Sequence, residues 1–138
     1  MILPTPSSFL LVLHPWKATR LAMQYTLERE GYRVCAHYEH PRHAMSDLFA
    51  GSLPLPDLIV VNWRFPGLSP SIAGQDVIKF FRSPQHPERQ QIAILAIIPN
   101  MPMARLIMRL RGANDCLTEP LKMQLLLQLV QRYVRFHD

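Results

Sequence analysis

The sequence predicts an α/β fold in which a parallel sheet carries helices on both faces. Three observations predict it. Short, fully apolar runs of strand length recur at Phe9–Leu13, Leu58–Val61 and Ile92–Ile98. Each is followed by a stretch of helical composition. Taken with two shorter strand-like segments, strand and helix alternate five times, and such alternation implies parallel strands joined by crossover helices.

In order, Phe9–Leu13 is the first strand, ended by His14-Pro15, because proline cannot donate to a ladder. Residues 16–30 are rich in Leu, Met, Gln, Glu and Arg and read as a helix, with Gly31 as its stop. Tyr32–Ala36 is a short strand. Pro41–Ala50 is a helix closed by Gly51, and 52–56 is a proline-rich connection. Leu58–Val61 lies between Pro56-Asp57 and Pro66-Gly67. An apolar, β-branched run bounded in that way is the buried central strand of a parallel sheet. Its C-terminal end, where open α/β sheets place their chemistry, carries Asn62.

A polar loop, Leu68–Ala73, leads to a helix over Gly74–Arg82, with Val77, Ile78 and Phe81 on one face. Residues 83–89 form a surface loop before Ile92–Ile98. Met103–Arg111 is a helix stopped by Gly112, Asp115–Thr118 a strand broken by Pro120, and Leu121–Phe136 the last helix. Leu125, Leu126, Leu129, Val130 and Tyr133 form the apolar side of that helix.

The chain's 138 residues suit one domain spanning 1–138, with 1–8 as a flexible N-terminal segment. A hydrophobic fraction of 49% supports a core. No run approaches the length that spans a membrane, and the first residues lack the basic region of a signal peptide, so the expected compartment is the cytoplasm. Cys35 and Cys116 are too few for a disulfide scaffold and read as buried free thiols. The net charge of +5 permits an acidic partner or nucleic acid, but no Lys/Arg run exceeds two residues, so a scattered basic surface is the expectation and nucleic acid is not.

Three segments resemble the receiver domain of two-component response regulators: Leu27-Glu-Arg-Glu-Gly-Tyr32, Pro56-Asp-Leu-Ile-Val-Val-Asn-Trp-Arg-Phe-Pro-Gly67 and Gly112-Ala-Asn-Asp-Cys-Leu-Thr-Glu-Pro120. The resemblance covers about residues 9–135. It implies a flavodoxin-like (βα)5 fold, doubly wound, with a five-stranded parallel sheet in the order 2-1-3-4-5.

The resemblance also implies a phosphorylation pocket. A working receiver uses an aspartate nucleophile on the third strand, two acidic residues after the first strand to hold Mg²⁺, a Thr or Ser ending the fourth, and a Lys before the proline after the fifth. In this sequence those positions fall on Asn62, on His14 and Pro15, on Ile98 and on Glu119. The aromatic switch position of the fifth strand falls on Cys116, and the glycine after the phosphoacceptor loop fits Gly74 only after about four extra residues, Pro70–Ala73. An amide is no phosphoacceptor, isoleucine cannot donate a hydrogen bond, and Glu119 inverts the charge. The expectation is a pseudo-receiver that binds no Mg²⁺, needs no cofactor and is not an enzyme. It signals through protein–protein contacts, independently of phosphorylation. The sequence also shows no catalytic triad, no paired carboxylates at a strand tip and no dinucleotide fingerprint.

Other features have two readings each. His37, His40 and His43 lie three apart near Cys35, but Pro41 interrupts a regular helix and no closed four-ligand spacing appears, so a solvated loop outweighs a metal site. His14 and Glu119 either pair and fix the loops or are solvent-exposed remnants, and the second is the expectation. Trp63 and Phe65, beside Arg64, either take a flat ligand or a partner, or cover the pocket. Arg105, Arg109, Arg111, Lys122, Arg132 and Arg135 lie on the last two helices, a surface that in the resembling family carries dimerisation or partner contacts. Met101, Met103 and Met108 are near it, and methionine adapts to irregular contacts. The partner is then a signalling protein or a second copy, bound through the fourth helix, fifth strand and fifth helix. The alternatives are a regulatory receiver domain of a transcription factor or hybrid kinase whose output domain is not in this chain, and a basic-surface nucleic-acid binder.

Overall fold

The computed structural model describes residues 8–66 and 74–134. The expected flexible segment before Ser8, the polar loop 68–73 with its four-residue insertion, Gly67 and Arg135 lie outside the described residues.

The elements alternate as expected: β1 (Phe9–Leu13), α1 (Lys17–Glu28), β2 (Arg33–Cys35), α2 (Pro41–Ala50), β3 (Leu58–Asn62), α3 (Gly74–Arg82), β4 (Ala93–Ile98), α4 (Pro102–Arg111), β5 (Asp115–Thr118) and α5 (Met123–Tyr133). A single 3-10 turn, Pro87–Arg89, interrupts the loop before β4. The five strands form one parallel sheet in the order β2-β1-β3-β4-β5, the flavodoxin-like topology. Most boundaries differ from expectation by a residue or two. The central strand runs one residue further, and Asn62 pairs with Ile97 inside the ladder. The last helix begins and ends later and earlier than its composition suggested, since Lys122 is its extended N-cap and Val134 has left helical geometry.

The core is double because strand side chains alternate between the faces. Leu11, Leu13, Ile59, Val61, Ile94, Ala96 and Ile98 point one way and pack on Ala44, Leu48, Val77, Ile78, Phe81 and Met108 from α2, α3 and α4. Leu10, Val12, Leu58, Val60, Leu95 and Ile97 point the other way onto Met23, Leu27, Leu126, Leu129 and Val130 from α1 and α5. Both cysteines are free and buried. Leu125 corrects one expectation: it is exposed, because α5 turns Leu126, Leu129 and Val130 to the sheet instead. Among the described residues no helix is long and apolar enough to cross a membrane.

Gly74 marks where α3 approaches the sheet. A Cβ there would lie 2.6 Å from the Asn62 carbonyl oxygen and 2.9 Å from the Trp63 Cα. The Gly74 amide donates to the Trp63 carbonyl at 2.8 Å. Only glycine lets this helix start so near the end of β3.

Candidate functional site

Crossover connections bring the exits of β1, β3, β4 and β5 to one end of the sheet. A cleft of about 80 Å³ there is lined by His14, Pro15, Trp16, Asn62, Trp63, Arg64, Pro66 and Glu119. It thus gathers four of the five residues that the sequence assigned to one pocket. The fifth, Ile98, is buried on the far side of Trp63, where it lines a separate apolar pocket.

Each wall has a local cause. His14 follows the apolar run of β1 and is 6% exposed, so the expectation that it is a solvent-exposed remnant is wrong. The Trp16 indole meets its ring edge-on at 5.7 Å, and its Nδ1 accepts the Trp16 backbone N–H at 3.1 Å. Arg20, one turn into α1, fastens this segment from beneath. Its Nη1 donates to the His14 carbonyl at 2.9 Å and to the Pro15 carbonyl at 3.3 Å, and its Nε to the Ala36 carbonyl at 2.9 Å. Arg20 is buried and ties the exit of β1 to the exit of β2. Sequence reading missed it; the signal was a lone arginine on the otherwise apolar face made by Met23 and Leu27.

Burial holds the His14 imidazole below its ordinary pKa, and the Arg20 charge adds to this; nearby Glu119 and the Trp16 hydrogen bond oppose it. The described residues hold no His14–Glu119 ion pair. Burial therefore outweighs the carboxylate, and His14 favours the neutral form, which is the opposite of what a His–carboxylate pair would do.

Asn62 is 7% exposed. Its Nδ2 donates to the Arg64 carbonyl at 2.7 Å, and its Oδ1 is buried without a donor among the described residues. The amide thus shapes the turn after β3.

The partner of Glu119 is Trp63. The Trp63 indole N–H donates to Glu119 Oε1 at 2.9 Å. The two backbones are placed for this by adjacent carbonyls of β4: the Trp63 amide donates to Ile97 at 2.9 Å and the Glu119 amide to Ile98 at 2.9 Å. The side chains close a bridge over the end of β4, from the exit of β3 to that of β5. Arg64 lays its guanidinium 5.2 Å from the centre of the Trp63 ring. Phe65 is buried in the core, so of the two aromatics in this segment only Trp63 reaches the site.

The remaining expected residues lie apart. Cys116 is buried within β5, where burial pushes its thiol pKa up; it offers no aromatic ring to swing. Arg105 and Arg132 both reach Asp115, each at 3.6 Å, so the basic surface is partly neutralised. Arg109, Arg111 and Lys122 are exposed. His40 caps α2, its Nδ1 accepting the Arg42 N–H at 3.1 Å, and its ring stacks on His43. His37 stacks on Tyr38 and faces the Cys35 thiol at 3.4 Å. The histidines therefore serve separate contacts, and among the described residues no three His, Cys, Asp or Glu side chains are grouped to hold a metal.

Searches with family models and among curated proteins find no match. Solved structures do match. A protein described as a response regulator from Chloroflexus aurantiacus J-10-fl is 24% identical, with a TM-score of 0.79 over 93% of this chain and 98% of that one. The chemotaxis protein CheY4 of Vibrio cholerae is 20% identical, with a TM-score of 0.77 over 94% and 100%. The receiver domain of a sensor histidine kinase from Pseudomonas aeruginosa PAO1, whose structure holds a magnesium ion coordinated in the active-site cleft, is 20% identical, with a TM-score of 0.73 over 93% and 98%. Likeness at this level of identity establishes a shared fold.

Proposed function

We propose that this chain is a receiver-fold signalling module that acts through protein contacts and without aspartyl phosphorylation. The Trp63–Glu119 bridge carries the reading. In the receiver resemblance, a phosphorylated aspartate on β3 and a lysine after β5 would attract each other across this end of the sheet. Here the β3 side supplies an indole donor and the β5 side the acceptor, in direct contact at 2.9 Å. The link between the two strand exits is thus made by this chain's own side chains.

The donor set supports the same reading. Mg²⁺ requires an octahedron of hard oxygens, usually from carboxylates and water. Among the described residues lining the cleft, Glu119 brings the one carboxylate, and one of its oxygens already accepts from Trp63. His14 and Pro15 bring none. These residues do not fit Mg²⁺, unlike the cleft of the Pseudomonas receiver domain.

The basic surface fits protein better than nucleic acid. Arg105 and Arg132 are engaged by Asp115, and the helix between the cations presents apolar side chains to solvent. The function would then be exercised on a partner protein or on an output domain elsewhere in the same system.

The test is incubation with Mg²⁺ and acetyl phosphate followed by intact-mass measurement. The wild type should gain no phosphoryl group. Neither should Asn62→Asp, because a restored nucleophile still lacks the acidic pair. A phosphoryl adduct on the wild type would overturn the proposal.

A further inference from the structure

Among the described residues three arginines are not exposed: Arg20, Arg82 and Arg89. Two are well supplied with acceptors. Arg20 donates to three carbonyls, and Arg82 donates to the Gly112, Arg89 and Gln90 carbonyls and to Asn114 Oδ1. Arg89, in the 3-10 turn before β4, is 6% exposed, yet its side chain has a single acceptor, the Phe80 carbonyl, at 3.4 Å from Nη1. Its guanidinium lies 4.0 Å from the centre of the Phe80 ring. Among the described residues no carboxylate is within ion-pair distance of it.

A buried charge without a counter-ion is costly. The aromatic face and the C-terminal end of α3 offset part of that cost. A guanidinium has five N–H donors, and most of those of Arg89 are uncommitted. None of its nitrogens is among the fully enclosed side-chain atoms that lack a partner, so the unused N–H groups open to the surface.

That surface is a groove of about 450 Å³ between α2, α3 and the turn. Met45 and Phe49 of α2 and Phe80 of α3 make its apolar wall, and Phe49 is 72% exposed. Lys79 and Arg89 are its cations, with His86 at the rim between Phe49 and Glu88. Asp76, a carboxylate that also lines the groove, lies one turn before Phe80 on α3. The turn is fastened to α3: besides the Arg82 bonds, Gln90 Nε2 donates to the Arg82 and Ser83 carbonyls, each at 2.9 Å.

We infer that this groove is a binding site for a small aromatic carboxylate, with its ring against Phe49 and Phe80 and its carboxylate on the open fork of Arg89. The volume is that of a small-molecule site. A guanidinium fork matches a carboxylate in geometry and charge, and Lys79 adds a second cation. Aromatic rings favour edge or offset contacts with a ligand ring. Because the turn is already tied down, little ordering accompanies binding. The inference goes beyond the protein-contact reading and is independent of it, since no residue lines both this groove and the strand-end cleft.

The test is titration of the full chain with phenylacetate, phenylacetamide and acetate, read by backbone and arginine side-chain N–H chemical shifts. Phenylacetate should give saturable shifts at Phe49, Lys79, Phe80 and the Arg89 Nε–H. Phenylacetamide lacks the charge and acetate lacks the ring, and each should bind about tenfold or more weaker. Phe49→Ala and Lys79→Glu alter exposed side chains and should each weaken phenylacetate about fivefold, with the rest of the spectrum unchanged. Arg89→Lys keeps a cation over Phe80 without the fork and should weaken it about tenfold. If Arg89→Lys does not fold, the two surface variants decide the matter. Equal binding of phenylacetamide, shifts that do not saturate or that fall outside the groove, or a wild-type affinity in Phe49→Ala or Lys79→Glu would overturn the inference.

Discussion

Trp63 and Glu119, 56 residues apart in sequence, join the exits of β3 and β5 by an indole–carboxylate hydrogen bond of 2.9 Å. The bond lies at the surface, so its net contribution to stability is at the low end for a hydrogen bond, about 0.5–1 kcal/mol. Its larger effect is on the position of the indole ring. Glu119→Ala should lower stability by no more than that amount and yet alter the Trp63 side-chain N–H resonance, whereas Glu119→Gln should leave both near wild type. Paired denaturant melts and amide spectra check this; a loss of several kcal/mol would mean that Glu119 supports the core and does more than place a ring.

Arg20 is the buried clamp under the site. Removing it leaves the carbonyls of His14, Pro15 and Ala36 without their donors. Arg20→Ala should cost about 2–4 kcal/mol, since each buried unsatisfied polar group costs about 1–3 kcal/mol. Arg20→Lys should recover part of this only, because an ammonium cannot reproduce the two-sided fork of a guanidinium. Urea denaturation with an unchanged m-value would read the difference.

His14 makes stability pH-dependent. Its folded pKa lies below the ordinary value of about 6.5, chiefly through burial. The unfolded chain then takes up a proton that the folded chain resists, so this contribution is fully present above pH of about 6.5 and is lost as pH falls below it, until the folded imidazole also titrates. His14→Asn keeps an acceptor for the Trp16 N–H and removes the titration. Melting temperatures measured from neutral to mildly acidic pH should fall less steeply for the variant than for the wild type. Parallel slopes would contradict the assignment.

Gly74→Ala tests the close approach of α3 to β3. The added methyl would meet backbone atoms of Asn62 and Trp63 at 2.6 and 2.9 Å, which cannot move away as a flexible side chain could. A loss of about 1–3 kcal/mol is expected, the range for overpacking a tight contact. Thermal unfolding would show it, and a neutral result would mean that the loop after β3 is less fixed than this contact implies.

The frame was legible in sequence because its physics is local. The apolar runs at Phe9–Leu13, Leu58–Val61 and Ile92–Ile98 could be buried only as interior strands, and Gly51 and Gly112 stop α2 and α4 at backbone angles of +81° and +121°, which favour glycine. The strand order came from the resemblance, since alternation alone does not fix the crossovers. The site was legible as a set of positions at one end of the sheet, but its bonds were not. Arg20 and Trp63 each act on residues brought near by folding, and no spacing rule announces an arginine that serves three carbonyls. Burial likewise misled: His14 follows a strand and precedes Pro15, which reads as a turn to solvent, yet Trp16 and Arg20 close over it. On α4, Met108 is the one buried side chain while Met103, Leu106, Ile107 and Leu110 are exposed, an orientation that the helix's composition did not announce.

The central claim is that the strand exits are held together without phosphorylation. Amide chemical-shift mapping of the wild type with Mg²⁺ and beryllofluoride, a mimic of aspartyl phosphate, tests it most directly. The account predicts an unchanged spectrum, with the Trp63 indole N–H already in its hydrogen-bonded position before and after the addition. Shifts spreading from Asn62 and Trp63 to α4 would show that the cleft still takes a phosphoryl group and responds to it, and would contradict the account.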